Sequence, residues 1–430
     1  MRMGRIYAWT PDTTSALNGR VTASVVPLLR LDTDSKGSSR LWGRHVRVRN
    51  GGAVNEPDPA RGAVRGVPIG DAQPNAEGDF LFEPGRGGGR IDKIVLGAPD
   101  FRWRYIQASH FGEVNAYFHL DRIAAYVDDL LRQLGAPPLP HVIAVVNAHH
   151  AATEENGVRD GVRRGGRWLP FQGGHYRLPN WCYDLYEHKP ISPYGEIHLG
   201  PGRQLLEYGA LVEAAGGRYR ANASHNAGIL YHEYGHHITR HTVDFRANAL
   251  RPLDRQNNRK TAMDEGTCDY WAATMLGTPY IWAWHHRHDA EEVHFRSLTS
   301  SKTMADYDSG PRADAHANGT IWAAALWGLR TRLGTREPDG ALQTDLLVLK
   351  ALLLMGQLPS DRRDASLTSI RRARQSYAAG LLALLEADES LNGGRHREAI
   401  LASFAKHGIQ TAPSLQKVSG SEQSFGIESR

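Results

Sequence analysis

Cysteine is almost absent, with only Cys182 and Cys268 in 430 residues. A disulfide framework or a cysteine-based zinc knuckle needs more thiols than that, so neither organises the chain. A single bridge between the two stays open. No run of about 18 apolar residues occurs, which removes a membrane-spanning helix. The amino terminus, Met1-Arg-Met-Gly-Arg-Ile-Tyr-Ala-Trp9, is basic but lacks the apolar stretch of a secretory leader. The expected location is therefore cytoplasmic by default, or secreted if a leader has been removed. Charge of one sign is not in large excess either: 51 Lys and Arg face 46 Asp and Glu, a net +5. The arginines are scattered, not gathered into a stripe, which argues against nucleic acid as a partner. Internal repeats and a D-x-D-x-D-G calcium loop are also missing.

The composition that remains is 41% hydrophobic and 23% charged, that of a soluble globular protein long enough for two or three domains. Residues 1–108 read as β-rich, with alternating runs at 20–30, 45–50 and 78–84 bounded by Gly, Asn and Pro. The texture changes at 111–131, an amphipathic helix that ends near Gly135-Ala-Pro-Pro138. Residues 141–147 read as a buried strand, His149 and His150 as loop, and the Gly- and Arg-rich stretch 154–174 as an exposed loop. Residues 195–202 read as a short strand with a glycine turn, an edge on which an extended peptide can pair. Helical spacing returns at 261–276, 318–333, 341–355, 366–385 and 397–407. The tail from Thr411 is polar and reads as disordered.

The chain is organised around Asn226-Ala-Gly-Ile-Leu-Tyr-His-Glu-Tyr-Gly-His-His-Ile-Thr-Arg240, which holds an H-E-x-x-H. Residues four apart share a helix face, so His232 and His236 can present two imidazoles to one ion. Glu233 beside them is placed to act as general base, the arrangement of a zinc hydrolase. A catalytic zinc needs a third protein ligand and an open position. The metzincin continuation fails, because Thr239 and Thr242 stand where its Gly and His belong. His237 and His241 are poorly spaced to share the ion. Glu265, separated from the motif by a 28-residue spacer, is the better candidate. Asp269, four residues on, lies on the same helical face and can orient a ligand imidazole.

With its D-E-G-x-x-D-Y-W-A at 264–272, the chain resembles the gluzincin metallopeptidases, particularly the fungalysin and thermolysin-like families. The likeness extends to Asn115-Ala-Tyr-Phe-His-Leu-Asp-Arg-Ile123 and to His316-Ala-Asn-Gly-Thr-Ile-Trp-Ala323, and covers roughly 108–408. It implies Zn2+ bound by His232, His236 and Glu265, with Glu233 as general base and Asp269 orienting His232. It places Asp264 behind His236 and His316 as the oxyanion donor, with Tyr307 as the alternative donor. Thr320 replaces the family's usual Glu in this later element, and the spacer between the motifs is long.

The implied fold is α+β: a β-rich domain at 1–108, followed by a two-lobed thermolysin-like peptidase domain. The α/β lobe would span 109–245 and include the H-E-x-x-H helix. A helical lobe with the third ligand would span 246–410, and the tail 411–430. The implied activity is zinc-dependent endopeptidase action on a protein or peptide substrate. Two alternatives stand beside it: a processing peptidase for one partner peptide, and a non-catalytic binding protein with a vestigial zinc site.

Overall fold

The computed structural model describes residues 1–7, 23–32, 40–58, 63–84, 101–152, 158–160, 168–170, 173–177, 192, 194–200, 222–248, 251–252, 260–281, 296–359 and 369–411. The fold is mixed α+β, with small sheets gathered around long helices. β1 (Met3–Tyr7) and β2 (Ala23–Pro27) form an antiparallel pair. β3 (Val46–Asn50) precedes a second antiparallel pair, β4 (Ala53–Asp58) and β5 (Ala63–Pro68). The helix α1 (Phe101–Gln133) then leads into β6 (Val142–Val146). A three-stranded antiparallel sheet follows, with β7 (His149–Ala152) between β8 (Val158–Asp160) and β9 (Trp168–Pro170). The last two strands are β10 (Gly174–Arg177) and β11 (Glu196–Leu199).

The sheet that positions the site has strand order β10-β11-β6-β3. β3, β6 and β11 are parallel, and β10 is antiparallel to β11. Alternation sends Val46, Val48, Val142, Ala144, Val146, Ile197 and Leu199 into the core. α1 meets that face with Val114, Tyr117, Leu120, Ala124, Val127 and Leu131, a stripe at three- and four-residue spacing. Ile6, Leu28 and Phe80 share this core with Trp322 and Phe404 from the carboxyl-terminal half. The boundary expected near residue 108 falls inside α1, and β3, from the expected front domain, is hydrogen-bonded into the same sheet as β6.

Four local expectations are corrected. The stretch 154–174, read as a loop from its Gly and Arg content, contributes β8 and β9, which pair with β7. The strand at 195–202 is not an edge: β11 lies between β6 and β10, and its four residues are all buried. Its alternating polar positions misled because Glu196 and His198 bind each other at 2.8 Å and are both buried. The edge beside α2 is β10. At 78–84 only Phe80 pairs, through a single bridge to Gly4, because Pro84 and the turn at Asn75–Gly78 leave no run to extend. His149 and His150 belong to β7, not to a loop. Cys182 and the tail from residue 412 lie outside the described residues, and Cys268 is a free buried thiol.

The helical part comprises α2 (Ala227–His241), α3 (Ala262–Leu276), α4 (Ala315–Arg336), α5 (Gly340–Gly356), α6 (Ile370–Asn392) and α7 (Arg397–Ala405). Asn226, Thr261 and Asp314 cap α2, α3 and α4 through their side chains, which satisfy free amides of the first turn. A Cβ at Gly235 would stand 2.7 Å from the Cα of Cys268, so glycine there lets α2 and α3 approach backbone to backbone.

Two buried histidines stitch α1 to its neighbours. His119 donates from Nε2 to the Tyr7 carbonyl at 2.9 Å, and its Nδ1 accepts from the Tyr231 hydroxyl at 2.7 Å. His225 donates from Nε2 to the Ala108 carbonyl at 2.8 Å. Burial pushes both from the ordinary value of 6.5 down to about 4. The folded chain therefore binds fewer protons than the unfolded chain between those values, so stability is full above pH 6.5 and is lost as pH falls towards 4. Thermal melts across pH 7 to 4 should show this decline, and His119→Gln should have a shallower slope. An identical slope in the variant would remove His119 from the account.

Candidate metal centre

The site is built on three helices. α2 supplies His232, Glu233 and His236. The first turn of α3, polarised by its amino-terminal dipole, supplies Asp264 and Glu265. α4 begins at Ala315 and delivers His316. Three imidazoles converge on one carboxylate oxygen: Glu265 Oε2 lies 3.1 Å from His232 Nε2, 3.6 Å from His236 Nε2 and 3.2 Å from His316 Nε2. His232, Glu265 and His316 can offer ligand atoms within 4.8 Å of one another.

Behind each imidazole stands another carboxylate. His232 Nδ1 lies 2.8 Å from Asp269 Oδ1, His236 Nδ1 lies 3.1 Å from Asp264 Oδ1, and His316 Nδ1 lies 2.8 Å from Asp314 Oδ1. Burial raises the pKa of Asp269, but Arg296 and His232 outweigh it and hold the acid below its usual value. The same contest at Asp264 is won by His236 and Arg246. Both acids are thus acceptors, so each Nδ1 carries a proton. The acids around His232 and His236 outweigh burial and raise both imidazole pKa values, and once Nε2 gives up its proton its lone pair turns into the site. That is the tautomer a metal-binding histidine needs.

Glu265 is 1% exposed, and among the described residues its Oε1 has no hydrogen-bond partner. Burial raises its pKa, but His316, His236 and Lys260 outweigh burial and hold it well below the ordinary value. A buried anionic oxygen without a donor costs free energy unless a cation meets it. Two Nε2 lone pairs and a carboxylate are a donor set that zinc accepts. The residues present therefore fit a zinc ion.

Glu233 is buried on the β10 side of α2. A Cβ added at Gly174 would sit 2.7 Å from Glu233 Cγ and 2.7 Å from Ile229 Cγ2, so only glycine lets the edge strand run this close to it. His237 faces away from the cluster, with Nε2 2.9 Å from the Pro140 carbonyl, and His241 Nε2 lies 3.1 Å from the Tyr194 carbonyl. Tyr307 packs edge-on against Tyr377, 6.3 Å between centroids. Among the described residues its hydroxyl makes no hydrogen bond to the Glu265 cluster.

Sequence reasoning missed several contributors. Arg296, nearly buried, donates from Nε to Asp269 Oδ2 at 3.1 Å. Arg246 and Thr239 hold Asp264 at 2.9 and 2.6 Å. The Cys268 thiol, kept protonated by burial, lies 3.2 Å from His236 Nδ1. Lys260 stands at the mouth of the cluster. Thr239, three past His236 on α2, and Cys268, four past Asp264 on α3, stand at helical spacing that could have found them, whereas Arg296, Arg246 and Lys260 lie outside both helices. For Lys260 the available cue was that it directly precedes Thr261, an N-cap residue type.

Over residues 5–412 the chain matches the model of the fungalysin metallopeptidase family, M36. It is similar to extracellular metalloproteinase 4 of Arthroderma gypseum, 24% identical over 201 residues, which cover 43% of this chain and 30% of that protein. It is also similar to extracellular metalloproteinase MEP of Fusarium vanettenii, 24% identical over 230 residues, which cover 49% of this chain and 34% of that protein. The chain spans about a third of the length of these relatives.

Proposed function

The chain belongs to the fungalysin (M36) metallopeptidase family, and from that premise we propose that it is a zinc-dependent endopeptidase. The observation that carries the reading is the pair of imidazoles on α2. Both aim Nε2 at Glu265 while Asp269 and Asp264 pin their Nδ1 atoms. His232, His236 and Glu265 would hold the zinc. When bound, zinc supplies a Lewis acid that lowers the pKa of water towards about 7 and polarises a carbonyl.

The chain's own residues carry the proton traffic. Glu233 follows a ligand on the same helix, so its carboxylate can take the proton of the attacking water and pass it to the leaving nitrogen. His316, its ring oriented by Asp314, would face the developing oxyanion and donate to it from Nε2 when that nitrogen carries a proton. An extended substrate would lie along β10, the outer strand of this sheet among the described residues, where Gly174 brings the backbone against Glu233. The α2 helix would then lie between an α/β lobe and a helical lobe. The relatives named extracellular support a secreted protein, in place of the cytoplasmic default. Among the described residues no helix is long and apolar enough to cross a membrane.

The test combines metal analysis with cleavage of a peptide library. One zinc per chain is expected, with cleavage abolished by a chelator and restored by stoichiometric zinc. A protein that binds zinc and a peptide but never cleaves it would favour the binding-protein alternative.

A further inference from the structure

Two of the buried acids of the site have a dedicated cation. Asp269 is held by Arg296 and Asp264 by Arg246, and both guanidinium side chains are largely buried, at 4% and 12% exposure. Lys260 is different. Its side chain remains 46% exposed, and its nearest carboxylate oxygen, Glu265 Oε1, is 3.8 Å away, beyond hydrogen-bond length. Among the described residues its one neighbour at hydrogen-bond length is His316 Nε2, at 3.2 Å. Asp314 lies across the ring, on Nδ1, and does not face the ammonium. An ammonium carries three donors, so two remain for solvent or a ligand.

We propose that Lys260 is a specificity-determining residue that selects substrates carrying a carboxylate beside the scissile bond. The proposal rests on the peptidase reading above. The ammonium reaches Nε2 of the residue set to face the reacting carbonyl, so any group it binds lies close to that carbonyl. Its backbone is fixed by the start of α3, because Thr261 caps the helix that bears Glu265. Its flexible stem gives reach without precise geometry, which suits a point-charge contact with a carboxylate. A peptide offers that group in two ways, as an Asp or Glu side chain or as a terminal carboxylate.

The test uses the full chain loaded with zinc, in wild type, Lys260→Gln, Lys260→Arg and Lys260→Glu. Matched peptides carry Glu or Gln next to the scissile bond, each with a blocked carboxyl terminus. A second pair has Gln there, with the terminus one residue past the bond either free or amidated. Wild type should prefer the acidic member of one pair by about tenfold in kcat/KM, the scale of one charge-assisted hydrogen bond. Which pair shows the preference identifies the source of the carboxylate. Lys260→Gln should level the ratio, Lys260→Arg should keep most of it, and Lys260→Glu should invert it. Calorimetric binding of the same peptides to Glu233→Gln, with and without Lys260→Gln, reads the preference without turnover. Acid-selective binding that disappears with Lys260, in a protein that never cleaves, would sink the peptidase reading and keep Lys260 as the anion site. Equal handling of acidic and neutral peptides by wild type, or a preference that survives Lys260→Gln, overturns the proposal even if cleavage is robust.

Discussion

Glu233→Gln should retain one zinc per chain and an unchanged melting temperature, while kcat/KM falls by about a hundred- to ten-thousand-fold, the range of a lost general base. The substitution isolates chemistry from architecture. Glutamine has the same shape, so it fits the narrow space beside Gly174 and Ile229 that the glutamate occupies. The convergence of His232, His236 and His316 does not involve Glu233, since all three Nε2 atoms meet at Glu265. What changes is that an amide oxygen cannot take a proton from water near neutral pH. Zinc by mass spectrometry and initial rates on one peptide separate the outcomes. Loss of zinc would move Glu233 into the metal's own shell, and undiminished turnover would pass the proton to another group.

Much of the site was legible because it lies on helices. Spacing of four places His232 with His236 and Glu265 with Asp269; the structure brings His232, His236 and Glu265 to one point and sets Asp269 behind the His232 ring. The rest was hidden because it depends on contacts between elements. Arg296 and Arg246 reach the acids from outside α3, and no periodicity links a buried cation to its carboxylate. Lys260 reads in sequence as one more surface lysine. The edge strand was misassigned for a related reason. The pattern of β11 is that of a half-exposed strand, but its polar residues are neutralised within the sheet, where Arg49 Nη2 also lies 3.6 Å from Glu196. In the same way β3 could not be assigned to the sheet of β6, because the parallel pairing is made across the whole of α1. Alternation gives a strand's face but not its neighbours.

The second large effect is expected at Glu265. Glu265→Gln removes a charge without changing shape, and zinc affinity should fall by more than the roughly 10- to 100-fold produced by altering partners behind a ligand. Turnover should be lost with the metal. Added zinc should raise the wild-type melting temperature, since a ligand of the folded state alone stabilises it, and should leave that of the variant unmoved. The metal-free proteins should differ as well, in a direction set by pH. The Glu265 carboxyl is held well below its ordinary 4.5, so the folded chain binds that proton more weakly than the unfolded chain does. Its charge therefore stabilises the metal-free fold above about pH 4.5, and the contribution fades as pH drops towards the folded value. Metal-free wild type should thus be the more stable protein at neutral pH, and the two melting curves should converge in acid. A variant that still takes up one zinc with the wild-type thermal shift would place the third ligand elsewhere. His316 would then be the leading candidate, because its Nε2 reaches the same point from α4.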